Sequence, residues 1–526
     1  MNRLIKTILI SLAGVQSLSM TAAGRPKLIV GIIVDQLRTD YLEDLQGMLG
    51  EGGFRKLMTQ GLYMKDVDFG VVPGDASSAT SIIQTGTYPR YSGVTGALMF
   101  DPATQSMRSI FSDDSFIGNF TNEKYSPAAL RVSTLTDELK VEEGGNTRIH
   151  SISPDAAQAI VLAGHNGNSA FWLNSETGRW SSTTYYPAQP MNLQHKNYVA
   201  PLISRLDTMK WTPVKKGIYP YVSPAEVSEG FKYSFARSDK DVYTLYKSSP
   251  FINREITDAT IEYLKDLDLG KNNEGTDVLN IAYTLAPYPA SGDSYRYELS
   301  DAYIRLDADL RRLFDAIYKY AASDDVLVYL VSTGYFAEPA VDTRKYRLPG
   351  GTFSVKRGLS LLNAYLAAKY GNGAFVDYYA DSQIHLSEKT LEEKGLDLDK
   401  VAEESRDFLV RMSGIEEAYT MADLMNQSSK NLSDLRLSID PKTSGHVILE
   451  FNPGWKVVDD SRYPTVEQVD KTSAYLAPGF IMGANISPDI KVETVEAVAI
   501  APTISNILRI RPPNSAIAKP IPVKTK

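Results

Sequence analysis

The chain has 526 residues, 43% of them hydrophobic and 22% charged, with a formal net charge of −8 and no cysteine. That length suits one large α/β domain with insertions or several domains, and the composition is that of an ordinary globular protein. The acidic balance argues against nucleic acid as a partner, because phosphate backbones select basic faces. The missing thiols exclude a disulfide framework, a lipid-modified N-terminal cysteine, a thiol nucleophile and thiolate metal sites.

The N-terminus reads as a secretory signal. "MNRLIK" is a basic leader, "TILISLAGV" an apolar stretch, and Thr21–Ala23 a small-residue cleavage site. This predicts a signal peptide over 1–23, a mature chain over 24–526 and a periplasmic or secreted home. The apolar run is too short and too interrupted by Ser11 and Gly14 for a membrane anchor. No transmembrane segment is expected after cleavage.

"KLIVGIIVDQL" (27–37) is an Ile/Val-rich run of the kind buried on both faces of a parallel sheet. It ends on Asp35, which places that carboxylate where open α/β sheets keep their sites. "GGFRKLMTQGL" predicts a short helix stopped at Gly61. "TRIHSISPDAAQAIVLAG" reads as a strand and then a helix. The runs 277–287 and 324–335 read as strands on either side of the amphipathic helix "LSDAYIRLDADLRRLFDAIYKYAA". That order implies a crossover and a parallel sheet. "PGFIMG" and "IAPTISNILRI" add a late strand and helix. The expected fold class is therefore α/β, a mainly parallel central sheet flanked by helices, with two insertions. One, about 171–246, is rich in Trp, Tyr, Pro and Ser and suits a cap. The other, about 359–455, reads helix, strand, helix, strand, a small α/β subdomain.

The stretch "GVVPGDASSATSIIQTG" (70–86) has the shape of a loop feeding a helix, with serines and threonines crowding the turn. Ser77 and Ser78 are read as helix caps. No G-x-S-x-G elbow, Walker A loop or dinucleotide fingerprint occurs in the chain.

Six segments in order resemble the alkaline phosphatase superfamily, in particular the secreted phosphate-irrepressible alkaline phosphatases and the related nucleotide pyrophosphatases/phosphodiesterases. They are "RPKLIVGIIVDQLRTDYL", "GEGGFRKLM", "TGTYPRYSGVTG", "LAGHNGNSAFWLNSETGRW", "YIRLDADL" and "IAPTISNILRIRPPNSAIAKPI", which together span almost the whole mature chain. The resemblance implies a phosphotransferase in which a Thr or Ser at a helix N-terminus attacks phosphorus and two zinc ions clamp the attacking and leaving oxygens.

Carried over position by position, it retains the first-strand acid as Asp35. Counting back from Thr85–Gly86, the nucleophile position is Ala76. The next metal-binding Asp and His fall on Leu285 and Pro289, the paired Asp-His on Gly334 and Tyr335, and the last His near Glu467. The Asn that holds a phosphoryl oxygen falls on Ala97, and the Lys and Arg of the phosphate clamp on Pro154 and Ala156. The His of the family's P-x-x-H-G is Ser92. None of the five histidines (His150, His165, His195, His385 and His446) follows a strand beside an Asp. A shifted site would use Ser77 as nucleophile, with Asp35, Asp75 and Glu467 as oxygen ligands for Mg²⁺ or Ca²⁺.

The expectation is a secreted pseudophosphatase with no catalytic residue and no cofactor, zinc being the family's metal. It would serve as an envelope scaffold or as a module for a glycan or phospho-ligand. The alternative is a divergent metal-dependent phosphomonoesterase or phosphodiesterase.

Overall fold

In a computed structural model the residues described are 25–525, except 189–190, 216–218, 221, 290, 292–294, 339–349, 427–431, 463–464 and 484. The expected signal peptide over 1–23 lies outside them. The first apolar run forms β1 (Leu28–Asp35), every residue of which is buried. Its even-numbered side chains Leu28, Val30, Ile32 and Val34 join one core, and Ile29 and Ile33 join a second core on the opposite face. A strand apolar on both faces belongs between two helical layers.

The ten-stranded sheet comprises β1, β2 (Leu62–Met64), β3 (Gly118–Asn119), β4 (Arg148–Ser153), β5 (Ser169–Leu173), β6 (Trp180–Thr183), β7 (Asp277–Thr284), β8 (Val326–Ser332), β9 (Gly479–Gly483) and β10 (Asp489–Lys491), in the order β10-β2-β9-β8-β1-β7-β4-β5-β6-β3. The contiguous strands β8, β1, β7, β4 and β5 run parallel. The margins depart from the mainly parallel expectation. β9, the "PGFIMG" strand, is antiparallel to β8, and β6 is antiparallel to β5.

Helices α1 (Ala76–Thr85) and α5 (Ile500–Leu508) supply apolar side chains to one face. Helices α3 (Phe251–Asp266) and α4 (Tyr295–Tyr320) cover the other. α2 (Ala156–Ala163) follows β4, as the strand-then-helix reading of 147–164 predicts.

The stretch expected as a cap, about 171–246, begins within the main sheet, because its first residues belong to β5 and β6. Several of its aromatic residues are buried, although Tyr198 is exposed. Trp172, Trp180, Trp211 and Tyr186 are each at most 3% exposed, and Trp211 Nε1 donates to Asp301 at 2.7 Å. The second insertion carries its own four-stranded antiparallel sheet and its own core, including Leu362, Leu366, Ile384 and Val447. It begins earlier than 359, because the strand Gly351–Ser354 pairs in parallel with Trp455–Asp459.

α1 is fixed to the sheet by a buried polar chain. Gln84 Nε2 donates to the Tyr329 hydroxyl at 2.9 Å, Tyr329 donates to Asn280 Oδ1 at 3.3 Å, and Asn280 Nδ2 donates to the Leu162 carbonyl at 2.7 Å. The chain passes over Gly31 in the middle of β1. A Cβ at Gly31 would stand 2.3 Å from both Asn280 Oδ1 and the Tyr329 oxygen. Gly31→Ala is therefore expected to destabilise the fold by about 1–3 kcal/mol through overpacking, read as a lower urea midpoint with an unchanged far-UV spectrum.

Candidate functional site

The parallel register brings three strand ends into one row. Asp35 lies opposite Thr284 on β7, and Val34 lies opposite Ser332 on β8. The residues that follow these ends, Leu285 on one side and Thr333 to Tyr335 on the other, therefore flank Asp35. The Leu285 N–H donates to the Asp35 carbonyl at 2.8 Å. The Thr333 hydroxyl donates to Asp35 Oδ1 at 3.0 Å and accepts from the Gln36 N–H at 2.9 Å. Burial pushes the Asp35 carboxyl up to about 6. The Thr333 and Tyr335 hydroxyls pull the other way, and the charges of Asp75 and Asp155 add to the rise. Tyr335 is itself buried, and burial raises its phenol well above the ordinary range.

α1 starts beside this row. Its N-cap is Asp75, not Ser77 or Ser78. Asp75 Oδ1 accepts from the Ser77 and Ser78 N–H groups at 2.8 and 3.0 Å, and Ser78 Oγ completes a capping box on the Asp75 N–H. The other oxygen, Asp75 Oδ2, accepts from the Ala97 N–H at 2.6 Å. Both carboxylate oxygens are thus engaged by backbone donors. Burial raises the Asp75 carboxyl, while these N–H groups and the Lys471 cation act against the rise.

The hydroxyls near the helix head are largely committed as well. Ser78 Oγ donates to the Asp75 carbonyl at 2.9 Å, and Thr80 Oγ1 donates to the Ala76 carbonyl at 2.6 Å. Ser77 is buried, and its Oγ has no hydrogen bond among the described residues.

Of the shifted oxygen set, Asp35 and Asp75 are near enough to influence each other's charge, but Glu467 has another partner. It is half exposed on the strand Val466–Glu467 and paired with Lys456 at 3.2 Å. The clamp positions Pro154 and Ala156 flank Asp155, whose carboxylate bonds Lys247. Asp155, Thr333 and Lys471 were not among the sequence-derived candidates. Thr333 was within reach, since it follows directly on the strand that pairs with β1. Lys471 was not, because it arrives through the antiparallel pairing of Phe336–Glu338 with Asp470–Thr472 and bonds the Gly74 carbonyl.

Four of the five histidines have roles elsewhere. His150 Nδ1 bonds Ser169 at 2.8 Å, and burial pushes its imidazole down to about 3. His165 bridges Asp137 at 3.0 Å and the Leu130 carbonyl at 2.8 Å. His385 and His446 lie in the second insertion, where His446 Nδ1 accepts from the Leu386 N–H at 2.9 Å. His195 is exposed on the helix Met191–Val199. Among the described residues no three His, Cys, Asp or Glu side chains converge as a metal-binding group. Among the same residues no helix is long and apolar enough to cross a membrane.

A large sheet with an acid at the end of its central strand, beside a loop that feeds a helix, is an α/β architecture with its candidate site at the strand ends. The family model described as type I phosphodiesterase / nucleotide pyrophosphatase matches residues 29–475, and the chain belongs to that family. It is 25% identical to alkaline phosphatase PafA of Elizabethkingia meningoseptica over 95% of this chain and 94% of the relative. It is 26% identical to alkaline phosphatase PhoV of Synechococcus elongatus over 94% and 92%. A Myroides odoratus protein named calcium-transporting ATPase is 26% identical over 94% of each chain. The crystal structure of wild-type PafA superposes with a TM-score of 0.79 at 24% identity, covering 95% of this chain and 99% of that one, which shows the shared fold.

The Asp35 carboxyl titrates above its ordinary value of 3.8 in the folded protein. Folding therefore takes up a proton between about pH 4 and pH 6, and the contribution of Asp35 to stability falls as pH rises through that window. Asp35→Asn keeps an acceptor for Thr333 and carries no charge to bury. It is expected to stabilise the protein by about 1–3 kcal/mol at pH 7 and to bring no gain below about pH 4, measured by urea denaturation across that range.

Proposed function

We propose that this chain is a secreted, catalytically degenerate member of its family, a pseudophosphatase that keeps the fold as a binding or scaffold protein of the bacterial envelope. The observation that carries this reading is the head of α1. Where the resemblance puts the attacking hydroxyl stands Ala76, and the adjacent Asp75 is used up as the helix cap. Nucleophilic phosphoryl transfer needs an oxygen at that point, and a methyl group supplies none.

The side chains at the metal positions do not fit a two-zinc centre. Zinc takes imidazole and carboxylate ligands. Here Leu285, Pro289, Gly334 and Tyr335 stand at four of those positions. Leu285 is buried as part of the core, and a Cβ at Gly334 would lie 1.9 Å from the Phe69 ring. The clamp positions Pro154 and Ala156 offer no charge to a phosphoryl group. The signal peptide reading and the homology to alkaline phosphatases support an extracytoplasmic location.

The alternative, a divergent phosphomonoesterase or phosphodiesterase, draws on Ser77, a buried hydroxyl without a hydrogen bond among the described residues, next to the expected attack position. The two readings part in one assay. Mature protein loaded in turn with Zn²⁺, Mg²⁺ and Ca²⁺ is expected to hydrolyse neither p-nitrophenyl phosphate nor bis-p-nitrophenyl phosphate above the rate of a Ser77→Ala/Asp35→Ala control. Near-stoichiometric zinc by elemental analysis, together with turnover abolished by Asp35→Ala, would overturn the pseudophosphatase reading.

A further inference from the structure

Beside the strand-end site lies a cleft of about 690 Å³ between the main body and the second insertion. The loop before α1 and the segment 95–98 line it from the main body, and residues 381–383, 444, 448–453 and 455 line it from the insertion. Its volume is within the range of ligand sites. Three large apolar side chains in its lining are open to solvent, Val72 at 42%, Leu98 at 57% and Val469 at 52% exposed. Trp455 also lines it, and it is the one tryptophan of the four that is not buried.

We propose that this cleft docks a positively charged polypeptide segment, with apolar side chains against Val72, Leu98, Val469 and Trp455 and with lysine or arginine groups toward the carboxylates of Asp381, Glu416, Glu450 and Asp470. The occupant is chosen by charge complementarity. All four carboxylates line the cleft, and none forms an ion pair among the described residues. Elsewhere in the molecule acids are paired freely, as in Arg148–Asp277, Arg305–Asp301 and Lys369–Glu404.

Burial raises the carboxyls of Glu450 and Asp470, with repulsion from Glu416 and Glu417 acting on the first and from Glu467 on the second. These groups therefore lack a cation rather than sharing one. The only basic side chain in the described lining is Lys471, which bonds the Gly74 carbonyl and faces Asp75. A phosphate ester entering here would meet net negative charge. A small polyamine would leave the apolar mouth wet, whereas a basic peptide with interspersed apolar residues covers both kinds of surface.

The assignment names the ligand class of the non-catalytic protein and so rests on that reading. It is tested by titrating the mature full-length chain with acetyl-Lys-Phe-Lys-Phe-Lys-amide, followed by calorimetry and tryptophan fluorescence. Because Trp172, Trp180 and Trp211 are at most 3% exposed, a spectral change reports on Trp455. Expected are saturable binding, weakening by about tenfold or more in the Glu416→Gln/Glu450→Gln/Asp470→Asn variant, and unchanged binding in Glu496→Gln, a charge change outside the cleft.

If the triple variant does not fold, Asp381→Asn alone is expected to weaken binding, and Trp455→Phe to abolish the fluorescence change. Absence of saturable binding overturns the assignment. So does equal affinity for acetyl-Glu-Phe-Glu-Phe-Glu-amide, or competition by maltotetraose or inorganic phosphate. Hydrolysis of p-nitrophenyl phosphate with peptide binding intact overturns only the non-catalytic reading. Absence of both activities overturns only the cleft assignment.

Discussion

The site depends on the parallel hydrogen-bond ladder between β1 and its two neighbours. Because β1 pairs with β7 from Leu28 to Asp35 and with β8 from Leu28 to Val34, the strands end level with one another. Whatever follows those ends is delivered to one place, in this chain Leu285, Thr333, Gly334 and Tyr335 around Asp35. The ladder is set by backbone geometry and by cores on both faces, and neither consults the chemistry of the residues just beyond the strands. A fold of this kind survives replacement of its functional side chains, since packing and site use different positions.

The side chains around Asp35 follow a consistent physical direction. Leu285 and Tyr335 are buried, the Tyr335 hydroxyl bonding Asp35, and Gly334 lets the Phe69 ring close down on the strand end. Asp75 is a fully engaged cap that holds α1 and the segment carrying Ala97 in place. Asp35 is the exception. It remains a buried acid whose ionised form is disfavoured by desolvation and by two neighbouring carboxylates, with the Thr333 hydroxyl as its close donor. An acid in such surroundings is poorly matched to its setting. Homology to alkaline phosphatases fixes the architecture, and the chemistry is decided at these single positions.

Much of this was legible in the sequence because it is local. The double-faced apolar run of β1, its terminal Asp35, the helix after residue 75 and the amphipathic α4 all follow from periodicity over short windows. Misreadings arose where the deciding contact was distant or where two residues competed for one role. Ser77 and Ser78 looked like caps, but Asp75 precedes them and its carboxylate reaches both N–H groups. The "PGFIMG" strand gave no sign of its antiparallel direction, which depends on a connection through the second insertion. The aromatic richness of the cap stretch left exposure and burial open, and Trp211 is held inward by Asp301, ninety residues along the chain.

The cleft was hidden for the same reason. Its lining is gathered from the loop before α1, from residues 95–98, from the insertion and from 468–471, so no single window contains it. Only assembly shows that acids from the insertion, Asp381, Glu416 and Glu450, line a cleft shared with the loop before α1. The main body is joined there to the insertion by Phe100, which stacks on Tyr378 with ring centroids 4.8 Å apart and lies 4.6 Å from the His385 ring. Gln105 adds a hydrogen bond to Asp377 at 3.0 Å. These contacts hold the two walls together at one end while exposed apolar side chains remain at the mouth. Asp35, Asp75 and Asp155 near the strand ends and the carboxylates of the cleft give the two neighbouring places the same formal sign of charge. Carboxylates at both places favour a cation over an anion, and this preference follows from side chains alone without any change in the architecture.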